Sequence, residues 1–106
     1  MNINELAENL GLEPDEYMEI LELLVVSGQA DIASLEQAIA TDDAEGVVKA
    51  AHSLKGASAN LGLMDLSETA RDIEFKGRDQ DLTGMNEKMQ ALKAEFEPIV
   101  ELVQGL

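Results

Sequence analysis

Apolar residues recur along this chain at steps of three and four, the spacing of one face of an α-helix, in five separate runs. The first run is short: Ile3, Leu6, Ala7 and Leu10, with Asn2 placed to cap it and Gly11 to end it. The second is long. Met18, Leu21, Val25, Gly28, Ile32, Leu35 and Ile39 make one seam, which Ile20 and Leu24 widen. Pro14 suits its first helical position, and Asp15, Glu16 and Glu19 favour the positive end of its dipole. Ser27-Gly28 is a weak point, but the seam runs through it and predicts a single helix to about Ala40. In the third run Val47, Ala51, Leu54, Ser58 and Leu61 share a face, between a cap at Asp42 or Asp43 and a stop at Gly62. The fourth spans about Asp65 to Lys76, with Leu66, Ala70, Ile73 and Gly77 inward. The fifth carries Leu82, Met85, Met89, Leu92, Phe96, Ile99 and Val103. It is predicted from about Leu82 to Val103, with Gly84 fraying its first turn and Pro98 kinking it near Ala94-Glu95.

These elements predict a single all-α domain over the 106 residues. We expect an antiparallel four-helix bundle of residues 14–104, with the short N-terminal helix lying across one end because a helix of that length is not stable unpacked. A tight connection at Gly62-Leu63 makes the third and fourth helices an antiparallel hairpin. The scarcity of aromatics and the abundance of Leu, Ala, Glu and Met agree with helices rather than strands.

Charge narrows the range of partners. The net charge is −15, which disfavours nucleic acid and anionic membrane surfaces. No apolar run is long enough to span a bilayer, the first residues lack the pattern of a secretory signal, and there is no cysteine for a disulfide framework or thiolate chemistry. A cytoplasmic, monomeric, free-standing protein is the expectation. The basic residues are unevenly placed: Lys49, Lys55, Arg71, Lys76 and Arg78 are five of the seven, and twelve acidic residues precede Lys49. They could form a less acidic patch that steers a partner with an acidic pocket.

The patch surrounds His52, the only histidine. His52 lies one position round from the apolar face of the third run, in a stripe of Val48, His52, Lys55 and Ala59. Gly56 follows one turn later. A glycine inside a helix costs about 1 kcal/mol relative to alanine, and here it lets another surface approach the imidazole. Lys55, three residues on, places an ammonium near anything negative bound to that ring. Imidazole titrates near neutral pH, so a neutral nucleophilic form is available there. Folding the chain back about residue 63 puts position 74 level with position 52. Glu74 could then accept from Nδ1–H and leave Nε2 as the free nitrogen; the alternative is an ordinary solvated helix glutamate. Without these neighbours a helical histidine is more often structural than reactive, Lys55 is a surface lysine, and Gly56 is a packing glycine.

His52-x-x-Lys55-Gly56-Ala57-Ser58-x-x-Leu61-Gly62 resembles the signature of histidine-containing phosphotransfer (HPt) domains, small four-helix-bundle modules of phosphorelays. The resemblance implies that His52 accepts a phosphoryl group from the aspartate of a response-regulator receiver domain and passes it to another. Lys55 would offset phosphoryl charge, Val48, Gly56 and Ala59 would admit and dock the receiver, and Glu74 would orient the ring; some such domains carry Glu or Gln at that spacing. Receiver domains are the implied partners, with a hybrid histidine kinase as a further candidate. The protein would be a carrier rather than an enzyme, without an ATP site.

Other chemistries lack their residues. One histidine without cysteine disfavours zinc, no loop has the calcium pattern, and no phosphate-cradling glycine loop is present. No cofactor is expected, and any Mg²⁺ should belong to the receiver. Ser53 and Ser58 lie on the helix with His52, not on the turn that serine nucleophiles use. Two other functions stay open: a module that docks and blocks a receiver without transfer, and a helical adaptor whose histidine is incidental. Deep burial of His52 with both ring nitrogens bonded would favour the adaptor.

Overall fold

The computed structural model describes residues 2–105. Five helices follow in order: α1 (Ile3–Asn9), α2 (Pro14–Ala40), α3 (Ala44–Asn60), α4 (Met64–Arg78) and α5 (Met85–Gln104). Helix α2 packs on α3, α3 on α4, α4 on α5, and α5 closes the ring on α2, while α1 lies against α2. The longest dimension is 41 Å, the length of a 27-residue helix such as α2 at about 1.5 Å per residue.

The starts of α1, α2 and α3 follow from their local chemistry. The Asn2 side chain accepts from the Glu5 N–H at 3.1 Å. Pro14 opens α2, and the Glu13 N–H before it donates to the Glu16 side chain at 2.9 Å. Asp43 rather than Asp42 caps α3, accepting from the Gly46 N–H at 3.0 Å. Gly11 and Gly62 adopt left-handed backbone after α1 and α3, a conformation that glycine takes without steric penalty.

The core is the set of inward stripes. Leu21, Leu24, Val25, Ile32 and Leu35 of α2 meet Val47, Ala51 and Leu54 of α3, Leu66, Ala70 and Ile73 of α4, and Met85, Met89, Leu92, Phe96 and Ile99 of α5. Helix α2 passes unbroken through Ser27-Gly28, where Gly28 serves close packing. A Cβ there would lie 2.6 Å from Phe96 Cε1 and 3.6 Å from Leu54 Cδ1. Helix α5 likewise continues through Pro98.

Two expectations are corrected. Ile20 does not widen the α2 seam, because it is exposed. The inward position on that turn belongs to Tyr17, which is fully buried and donates its hydroxyl to the Leu61 carbonyl at 2.6 Å. That bond satisfies an oxygen left without a helical partner at the end of α3. Helix α5 starts at Met85, not Leu82. Asp81 accepts from the Thr83 N–H at 3.1 Å and the Thr83 hydroxyl at 2.6 Å, which holds residues 81–83 in a turn, and Gly84 follows with φ +70°.

Candidate functional site

Helices α3 and α4 form the wall that carries the site, and their register is set by contacts across the hairpin. Ser67 of α4 donates to the Lys55 carbonyl at 3.1 Å. Ser58, also buried, donates to the Leu54 carbonyl at 2.6 Å and to the Lys55 carbonyl at 3.1 Å. Its hydroxyl is thereby committed to its own helix.

The same register brings His52 and Glu74 together. His52 Nδ1 lies 3.0 Å from Glu74 Oε2. The two side chains differ sharply in exposure: the imidazole is 62% accessible, the glutamate 1%. Lys55 Nζ stands 2.8 Å from the other oxygen, Oε1. Arg78, one turn beyond Glu74, reaches Oε2 with Nη2 at 2.6 Å and Nε at 3.1 Å. A buried carboxylate thus gathers an imidazole and two cations. Lys55 and Arg78 do not hold it alike. Arg78 makes two hydrogen bonds to Oε2, whereas Lys55 pairs with the other oxygen, Oε1.

Electrostatics settle the protonation pattern. Burial pushes the Glu74 carboxyl up, but donors on Lys55, Arg78 and His52 outweigh it and lower the pKa to about 2. An ionised carboxylate only accepts hydrogen bonds. The proton between the two groups therefore sits on Nδ1, and a neutral ring keeps its lone pair on Nε2. That nitrogen has no hydrogen-bond partner among the described residues.

The surroundings leave the ring accessible. A Cβ on Gly56 would meet nothing within 4 Å, and Ala59 is exposed. Val48 is only half-exposed, because α4 comes close beneath it: a Cβ on Gly77 would lie 3.0 Å from Val48 Cγ2. The basic patch is narrower than the sequence suggests. Lys55 and Arg78 meet at Glu74, but Lys76 turns to Asp81 at 3.2 Å, Arg71 stacks over the Phe75 ring at 4.9 Å, and Lys49 lines the groove between α2 and α3. Among the described residues, no group of three or more His, Cys, Asp or Glu side chains converges on a metal position, and no helix is long and apolar enough to cross a membrane.

Arg78 as a partner of Glu74 escaped the sequence reading. Its signal was present: Arg78 is four residues after Glu74, the spacing at which helix side chains pair. Ser67 gave no comparable signal, because its bond to Lys55 depends on how closely the two helices approach.

The site is thus a small helical bundle that presents one histidine on a helix face, with a buried carboxylate hydrogen-bonded to its Nδ1. The model of the Hpt domain family matches residues 19–101, and the chain belongs to that family. Among solved structures, histidine-containing phosphotransfer protein B (HptB) from Pseudomonas aeruginosa PAO1 is similar, with a TM-score of 0.84 and 27% sequence identity over 94% of this chain and 87% of that one. No curated protein sequence matches the chain.

Proposed function

We propose that His52 is the phosphoryl-accepting residue of a phosphorelay carrier, loaded from the aspartate of one receiver domain and unloaded onto the aspartate of another. Membership of the Hpt family and likeness to a histidine-containing phosphotransfer protein support a role in phosphorelay phosphotransfer. The observation that carries the assignment to His52 is its paired environment: Nδ1 is tied to a buried carboxylate while the ring is mostly exposed. This arrangement disfavours the adaptor reading, which would bury the ring and bond both nitrogens.

In the proposed step the Nε2 lone pair attacks the phosphorus of the receiver's aspartyl phosphate. The N–P bond forms as the P–O bond to aspartate breaks, and the receiver recovers its carboxylate. The Nδ1 proton stays in place, so the ring acquires positive charge, and Glu74, already ionised, lies 3.0 Å from it. Transfer to a second receiver reverses these bond changes. Such reactions depend on positioning and charge compensation. This chain supplies the nucleophile, its orientation and the nearby ammonium of Lys55. The receiver brings the acyl phosphate and any Mg²⁺, and no ATP site is invoked. Gly56 and Ala59 make room for the receiver, and the exposed edge of Val48 adds apolar contact.

Mixing the protein with a receiver carrying labelled aspartyl phosphate tests the proposal. The label should appear on the wild type in acid-labile, base-stable form and be absent from His52→Gln. Binding without movement of label from any cognate receiver would leave a docking inhibitor as the better reading.

A further inference from the structure

Lys55 stands between two negative partners once His52 is phosphorylated. Unphosphorylated, its ammonium is paired with Glu74 Oε1 at 2.8 Å. A phosphoryl group at His52 Nε2 draws it away from that oxygen, because Glu74 occupies the Nδ1 side of the ring and the phosphoryl group carries the larger charge. Its departure takes away one of the two full cations beside a carboxylate that is 1% exposed. A buried charge left without a counter-ion is strongly unfavourable.

We propose that Arg78 is a positioning residue that holds the charge of Glu74 throughout the transfer cycle, so that Lys55 is free to exchange from Glu74 to the phosphoryl group. The inference rests on His52 being the phosphoryl acceptor. The asymmetry of the two cations supports it. Arg78 binds through two nitrogens, at 2.6 and 3.1 Å, and both reach Oε2, the oxygen that also receives His52 Nδ1. Lys55 meets the other oxygen, Oε1, through a single nitrogen. The guanidinium therefore secures the carboxylate oxygen that orients the ring, and the ammonium occupies the one that can be vacated. Both cations have a route to solvent, with Lys55 27% and Arg78 55% exposed, so Lys55 can swing without passing through the core.

The consequence is an exchange of ion pairs. Loading His52 breaks the Lys55–Glu74 pair and forms a Lys55–phosphoryl pair, while the Arg78–Glu74 pair persists. The receiver supplies the phosphoryl group, and no further co-reactant is needed.

The test uses the whole chain, a receiver bearing labelled aspartyl phosphate, and the variants Arg78→Gln and Arg78→Lys, with circular dichroism to confirm that each is folded. Arg78→Gln should slow loading roughly tenfold, the loss of one charge-assisted interaction, and Arg78→Lys should recover most of the rate. Nitrogen NMR supplies a readout that a purely structural role would not move. On phosphorylation of the wild type the Lys55 Nζ resonance should shift while Arg78 Nε stays in place. Wild-type loading rates in Arg78→Gln, or an Arg78 Nε shift with Lys55 unmoved, would overturn the assignment of Arg78 and leave the carrier reading standing. Absence of label from wild-type His52 would sink the carrier reading and this inference with it.

Discussion

Glu74 shows how one buried side chain can set the chemistry of an exposed one. Its carboxylate is enclosed, yet three donors keep it ionised, and its charge dictates which imidazole nitrogen carries the proton. The pH dependence follows from the sign of the shift. The folded value of about 2 lies below the ordinary value of 4.5, so the stabilisation is complete above pH 4.5 and is lost as pH falls from there through 2. Glu74→Gln should therefore cost about 1–2 kcal/mol at neutral pH, less than a deeply buried pair because Lys55 and Arg78 can be hydrated. The gap from wild type should close under acid. Denaturant titrations at several pH values check this, and a constant gap from pH 7 to pH 2 would refute it. Gly56→Ala is predicted to act in opposite directions on stability and transfer. The methyl group meets nothing in the chain and removes a helix penalty of about 1 kcal/mol, so the melting temperature should rise. Loading from a receiver should slow, because the proposed receiver contact uses that open space. An unchanged loading rate would place Gly56 outside the contact surface.

Among the helices, α2 and α3 show which features a sequence displays openly. The apolar steps of α2 announce the seam through Gly28, and the helix runs through it as the periodicity predicts. What periodicity does not reveal is the partner, since a glycine on a seam is equally a weak point and a place of close approach. Phe96 decides it. Gly28→Ala should destabilise by about 1–3 kcal/mol, because the added methyl overlaps a ring packed in the core, and a calorimetric melt measures the loss. Tyr17 makes the complementary case. It stands outside the chosen seam, beside Met18, and a single hydrogen bond to the end of α3 draws it inward. Tyr17→Phe keeps the packing and strips the Leu61 carbonyl of its donor, an expected loss of about 1–2 kcal/mol in chemical denaturation. The start of α5 departs from the periodicity for a related reason: Leu82 continues the apolar steps, but the Asp81–Thr83 turn holds the local backbone.

Across the whole molecule the net charge of −15 acts as distributed self-repulsion. Few of the carboxylates are paired with the seven cations, and several pairs, such as Lys93–Glu36 and Lys88–Asp72, lie on the surface, where an ion pair contributes little. Raising sodium chloride from low to moderate ionic strength should therefore raise the melting temperature, since screening weakens the repulsion between exposed charges more than the sheltered attraction at Glu74. A melting temperature that falls with salt would mean that exposed attractive pairs outweigh the repulsion.

The five helices, the inward stripes and the place of His52 at the edge of a helix face beside Lys55 and Gly56 could all be read from the amino-acid order, because each rests on interactions within about one turn: the step of the apolar residues, the caps, and the neighbours at i+3 and i+4. The level of Glu74 against His52 was also within reach, since a three-residue connection between α3 and α4 leaves the hairpin little freedom of register. The joint hold on Glu74, the division of Arg78 and Lys55 between its two oxygens, the burial of Tyr17 and the ring against Gly28 arose only when the helices packed. Those features depend on distances between elements far apart in the chain, and side-chain volumes across the whole core determine such distances.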